Sequence, residues 1–266
     1  MLTTRYQKVR TLSLPDILRM HALFEAHYAS SPLDTFLDDL SRKDGAFIVR
    51  RRDTGEIVGF STLGVYEFQL AGRKAKGLFS GDTIIEGAHR GSRTLQKAFA
   101  WRIFIEALKA PLTPQYWLLI SKGYKTYLLM ARNFPDYYPR RGEDNPAMTD
   151  MVAEYCEAMF PGKLNRDTML LEFGDDANRL KPEVADITDA MRRDPDIRHF
   201  ERLNPTWAQG TELPCIARAD LWAFLKTIGP FMAKVVRDRL KGRPVPASTV
   251  STVVPADQSD DVVRPA

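Results

Sequence analysis

The segment Thr83-Ile84-Ile85-Glu86-Gly87-Ala88-His89-Arg90-Gly91-Ser92-Arg93-Thr94-Leu95-Gln96 constrains this chain more than any other. A β-branched run stops at an acid, a short turn follows, and Arg90-Gly91 opens a stretch of helical character. A strand feeding a helix N-terminus makes an anion site. The first helical N–H groups have no acceptor within the helix, and the helix dipole favours negative charge there. Glu86, at the strand end, is placed to take a proton. A phosphate grip beside a base suggests group transfer from a phosphate-bearing donor. The same joint also serves as a purely structural turn, with Arg90 solvated.

The 266 residues suffice for one large domain or two small ones, and 44% hydrophobic with 27% charged residues is ordinary for a folded globular chain. A formal charge of +4 is too small to imply nucleic acid, and it suits an anionic ligand or an acidic carrier protein. Cys156 and Cys215 are far apart and form no CxxC, which points to a reduced, cytoplasmic setting. Met1 to Tyr6 has no apolar signal core, and no apolar run approaches the ~18 residues of a membrane span. His21, His27, His89 and His199 lack metal-ligand spacing, so no metal is expected.

Ser13-Leu14-Pro15-Asp16 is a helix start, and Leu14, Ile17, Leu18, His21, Phe24 and Tyr28 recur at helical spacing. A second helix fits Pro32 to Leu40. The period then changes. Ala46–Arg50 and Ile57–Tyr66 read as strands about the turn Asp53-Thr54-Gly55-Glu56, with Gly59 and Gly64 hinting at a bulge or a close backbone approach. Lys76–Ile85 is a strand, Arg93–Leu108 a helix, Tyr116–Ile120 a strand and Tyr124–Phe134 a helix. That alternation predicts a parallel strand pair. Further on, a helix fits Met148–Phe160, a strand Met169–Phe173, a helix Pro182–Arg192, a strand Leu213–Ala217 and a helix Ala219–Leu240. The expected organisation is a first domain over 1–145, a C-terminal α/β extension over 146–241 packed on it, and a disordered tail over 242–266.

The order of elements from Ser13 to Tyr138 resembles the GNAT superfamily of acyl-CoA-dependent N-acyltransferases. The family motif Arg/Gln-x-x-Gly-x-Gly/Ala opens the helix after the fourth strand, and its amides bind the cofactor pyrophosphate. Arg90-Gly91-Ser92 matches its start, whereas Arg93 and Leu95 replace the two glycines. A bulky side chain obstructs the close approach that glycine permits, although Arg93 can bind phosphate through its guanidinium. In the later family pattern, Asn133-Phe134 stands in place of Gly-Phe, and Leu129 falls where a tyrosine is expected. The resemblance implies an α+β fold: a GNAT-like mixed, mainly antiparallel sheet flanked by helices, here with an additional mainly helical C-terminal part. It also implies that the strands ending at Ile85 and Ile120 are parallel neighbours that splay around the donor's pantetheine.

On this resemblance the function is N-acyl transfer from a thioester donor, acyl-CoA or a phosphopantetheine-linked acyl carrier protein, to an amine. Ile85, Arg90, Gly91, Ser92 and Arg93 form the donor-binding set. Glu86 is the expected base, with Asp82, on the same strand face, as an alternative base or a contact to a cationic substrate. Tyr127 is the expected acid for the leaving thiolate, with Tyr124 behind it. Tyr138, in the aromatic and basic loop Pro135–Arg141, is a candidate substrate contact. Each residue has a plain structural alternative: an exposed strand-end acid, core aromatics at helical spacing, a rigid solvated loop. The competing function is a non-catalytic GNAT-like module that binds a ligand or a protein, which the lost glycines and tyrosine favour.

Overall fold

The computed structural model describes residues 1–28, 32–70, 72–89, 91–174 and 187–226. The elements run β1 Leu2–Lys8, α1 Leu14–His27, α2 Leu33–Ser41, β2 Gly45–Arg51, β3 Ile57–Leu70, β4 Arg73–Ile85, α3 Thr94–Lys109, β5 Gln115–Ser121 and α4 Tyr124–Asn133. Then come β6 Tyr137–Tyr138, α5 Pro146–Met159, β7 Leu164–Asn165, β8 Leu170–Leu171, α6 Pro195–Leu203 and β9 Leu213–Arg218. Residues 221–226 are helical. The fold is α+β. Among the described residues, seven strands form one sheet in the order β1-β2-β3-β4-β5-β9-β6. Its neighbours are antiparallel except β4 and β5, which are parallel.

Local chemistry sets these boundaries. Ser13 caps α1 by accepting the Asp16 N–H at 3.3 Å, and Pro15 sits in the first turn, where its missing donor costs nothing. Asn145 caps α5 through the Met148 N–H at 3.2 Å. Asp194 caps α6 by accepting the Asp196 N–H at 2.8 Å.

Three apolar clusters hold the layers together. The largest lies between one sheet face and α3, α4 and α6, and includes Phe47, Leu78, Ile103, Trp117, Tyr127 and Phe200. On the opposite face, α1 and α2 bury Met20, Phe24 and Phe36 against Ile48, Phe60 and Ile84. Beside them α5 buries Val152 and Tyr155 against Phe79, Leu118 and Ile216. Side chains of this size contribute roughly 1.5–3 kcal/mol each on full burial.

β1 has no counterpart in the pattern reading. Its sequence, Leu-Thr-Thr-Arg-Tyr-Gln-Lys, is too polar to alternate cleanly, as suits an edge strand. β9 is an interior strand between β5 and β6, so the C-terminal part completes the main sheet. The Met169–Phe173 strand is only Leu170–Leu171, paired with Leu164–Asn165. Of the Pro182–Arg192 helix, the described part holds a single 3-10 turn, Met191–Arg193. Most of the proposed 219–240 helix and the whole 242–266 tail lie outside the described residues.

Candidate functional site

The β4–β5 ladder lasts four residue pairs, from Lys76↔Gln115 to Phe79↔Leu118. β4 then continues to Ile85 along β3, while β5 continues to Ser121 along β9. The facing edges of 80–85 and 119–121 share no ladder. Two parallel strands bonded at one end, and claimed by different partners at the other, make a wedge. Trp117 pins its apex, the indole N–H donating to Ser80 Oγ at 2.9 Å. The β3–β4 register slips between Ser61 and Leu63, so Gly81 and Asp82 together oppose Thr62. Such a bulge bends and twists the strand. Gly81 is required there, because a Cβ would stand 2.3 Å from Thr62 Oγ1.

The fold is a mixed, mainly antiparallel sheet flanked by helices. The parallel neighbours ending at Ile85 and Ser121 match the pairing that the sequence resemblance implied.

Several solved structures match about half of the chain at low identity. A probable N-acyltransferase from Enterococcus faecalis is 14% identical, matching 50% of this chain and 33% of its own at a TM-score of 0.37. An acetyltransferase from Trypanosoma brucei is 17% identical, matching 55% of this chain and 100% of its own at a TM-score of 0.36. A GNAT family N-acetyltransferase from Escherichia coli in complex with CoA is 10% identical, matching 46% of this chain and 64% of its own at 0.34. No protein-family model matches the sequence, and no curated protein matches it.

At the end of β4, Ile85 is half-buried against the α3 core, and the 3-10 turn Gly87–His89 precedes α3. Gly91 is left-handed, at φ +87°, which favours glycine. Ser92 Oγ lies 3.2 Å from Thr94 Oγ1. Arg93 is the N-cap of α3. Its carbonyl accepts the Lys97 N–H at 3.0 Å, and its own side chain makes no capping hydrogen bond. The positive end of this 16-residue helix thus follows the turn after β4. Arg90 lies outside the described residues.

The acids separate. Asp82, Ile84 and Glu86 alternate on the α1–α2 face, which sets Asp82 and Glu86 about 13 Å apart along an extended strand. Glu86 is held by α1: Arg19 Nη2 lies 2.6 Å from its Oε1. Asp82 forms no ion pair among the described residues. Burial pushes its carboxyl up to about 6, the Asp39 charge adds to this, and Lys122 and Lys43 oppose it. That is the range in which a carboxylate works as a base near neutral pH.

The aromatic candidates lie away from the wedge. Tyr127 is fully buried, packs against Tyr137, His199 and Phe200, and donates its hydroxyl to the Pro139 carbonyl at 2.9 Å. Burial holds that hydroxyl well above the usual phenol range. Tyr124 is buried and donates to Met191 Sδ at 3.2 Å. Tyr138 is half-buried on the α5 face, in register with Ile216 of β9. These are the placements of core and sheet tyrosines.

Three residues near Asp82 escaped the pattern reading. Lys122 follows β5 directly, and its Nζ lies 3.2 Å from Glu212 Oε1 and 5.0 Å from the Tyr28 ring centre. Glu212, just before β9, is 3% exposed, and its Oε2 has no hydrogen-bond partner. Tyr28 ends α1 and stacks on Phe24 at 4.5 Å. Burial raises the Glu212 carboxyl, Lys122 opposes this, and the Asp82 charge adds to it. Burial, then the charges of Asp82 and Glu212, raise the Tyr28 hydroxyl. Beside them Lys43 pairs with Asp39 at 2.7 Å. Tyr28 had been legible only as part of an apolar helix stripe. Lys122 and Glu212 adjoin apolar strands, and a lone charge at a strand boundary reads as solvated. Among the described residues, no three His, Cys, Asp or Glu side chains converge as metal ligands.

Proposed function

We propose that this chain is a divergent GNAT acyltransferase, moving an acyl group from acyl-CoA or an acyl carrier protein to an amine. The observation that carries the reading is the wedge between β4 and β5. Beyond Phe79 and Leu118 the two strands share no ladder, so their facing edges would receive the amides of a pantetheine arm, and the α3 N-terminus, with Gly91, Ser92 and Arg93, would take the phosphate. Two buried cysteines fit a reducing cytoplasm.

Asp82 is the base in this reading, in preference to Glu86, whose oxygen is engaged by Arg19. Asp82 takes one proton from the incoming ammonium and releases it to solvent. The neutral nitrogen forms the C–N bond to the acyl carbon as the C–S bond breaks. The second nitrogen proton ends on the departing sulfur, giving amide and thiol. Tyr127 has no part in the transfer, because its hydroxyl is used inside the core.

Thermal shift with acetyl-CoA, a long-chain acyl-CoA and a holo acyl carrier protein tests the proposal. At least one donor should raise the melting temperature in a concentration-dependent way. A response to none supports instead a non-catalytic GNAT-like module, which Arg93 and Leu95 in the glycine positions favour.

A further inference from the structure

We infer that Glu212, with Asp82, forms the receiving site for the acceptor, and that the acceptor enters it as a primary aliphatic ammonium. This rests on the acyl-transfer reading and adds to it the residues and the charge of the acceptor subsite.

The cluster beside the wedge holds the carboxylates Asp39, Asp82 and Glu212 and the ammonium groups Lys43 and Lys122. Lys43 pairs with Asp39, and Lys122 binds one oxygen of Glu212. One negative charge, on Asp82, is left unmatched, and one buried oxygen, Glu212 Oε2, is left without a donor. A buried carboxylate oxygen without a partner costs about 1–3 kcal/mol, and more when charged. Such a group persists where something else supplies the hydrogen bond. The partner that fits must donate a hydrogen bond to Glu212 Oε2 and offset the charge of Asp82, and a primary ammonium does both. Its three donors would serve Glu212 Oε2 and Asp82 together, bringing the nitrogen to the base. The Tyr28 ring, which already receives the Lys122 ammonium on its face, adds a surface that favours cations.

Two elements supply this site. Asp82 belongs to the β4 bulge, whereas Glu212 opens the strand that the C-terminal part inserts beside β5. Glu212 is fixed by reciprocal backbone bonds to Leu171, at 2.9 and 3.0 Å. The C-terminal part therefore completes the acceptor side.

The test is titration of the full chain with n-butylammonium chloride and, separately, with 1-butanol of the same length, read by amide NMR shifts. Saturable shifts at Tyr28, Asp82 and Lys122 with the ammonium alone are expected. Glu212→Gln should weaken that binding at least tenfold. Equal responses to both probes, no saturation with the ammonium, or wild-type affinity in Glu212→Gln overturns the inference. If Glu212→Gln loses its native circular dichroism, the wild-type comparison of the two probes decides alone. Acetyl-CoA titrated into the wild-type sample reports separately on the acyl-transfer reading: binding of acetyl-CoA without ammonium binding sinks the acceptor assignment only, and the reverse sinks the acyl-transfer reading and leaves an ammonium site with no acceptor role.

Discussion

Arg19 Nη2 stands 2.6 Å from Glu86 Oε1 and 3.1 Å from Glu56 Oε1, so helix α1 ties down the acid at which β4 ends. Arg19 Nε also donates to the Ile57 carbonyl at 3.0 Å. The arrangement joins three elements at one rim of the sheet, and it gives Glu86 a structural role in the proposed reading. With both partners about one-third exposed, Glu86→Gln should cost at most about 1 kcal/mol. Once an acceptor is known, it should lower turnover less than tenfold, against the 10²–10⁴-fold expected when a positioned base is lost.

Asp82→Asn should show that larger loss, and it should also stabilise the fold at neutral pH. Its carboxyl is raised from 3.8 to about 6, so the folded state holds its proton more tightly than the unfolded chain does. Stability therefore falls as pH rises from 3.8 to 6, and above 6 the native protein carries the full penalty, up to about 3 kcal/mol. Asn removes that penalty. Denaturant unfolding at pH 4 and pH 8 should show a variant gain at pH 8 that vanishes at pH 4. The wild-type rate should in turn fall on the acid side with a midpoint near 6.

Tyr127→Phe should act on stability alone. It leaves the Pro139 carbonyl without its donor inside the core, a cost of about 1–3 kcal/mol. Urea unfolding reads the loss. A fall in turnover beyond what the unfolded fraction explains would return Tyr127 to the chemistry.

Arg93→Ala should weaken donor binding by about 1–3 kcal/mol if its guanidinium pairs with phosphate at the α3 terminus. Calorimetry with acetyl-CoA checks this. Tighter binding would show that Arg93 obstructs the position where GNAT motifs carry glycine.

Residues 1–145 alone should aggregate. They end before β9, whose six-pair ladder covers β5, and truncation leaves the Trp117, Leu118 and Leu119 strand as an open apolar edge. A soluble, well-dispersed NMR spectrum from this fragment would contradict the account.

The helices and strands from Ser13 to Asn133 were legible because their periods are clean: a capped helix at Ser13, β-branched strands, and a strand–turn–helix joint at Glu86. The parallel pair followed from that order. β1 was not legible, because an edge strand needs little hydrophobicity. The insertion of β9 beside β5 was not legible either, because a six-residue apolar run does not name its partner. The site divided in the same way. Asp82 was named from its strand position, as an alternative base or a contact to a cationic substrate. Lys122, Glu212 and Tyr28 gain meaning only when three distant segments meet, and no spacing rule links them. Tyr127 looked chemical because it lies in the right helix, but its face of α4 turns into the core.

The wedge between β4 and β5 is the centre of the account, and a crystal structure of the protein with CoA tests it most directly. The account predicts the pantetheine arm lying between residues 80–85 and 119–121, its amides bonded to those strand edges and its phosphates at Gly91–Arg93. CoA seated elsewhere on the protein, with that gap closed by protein atoms, would contradict it.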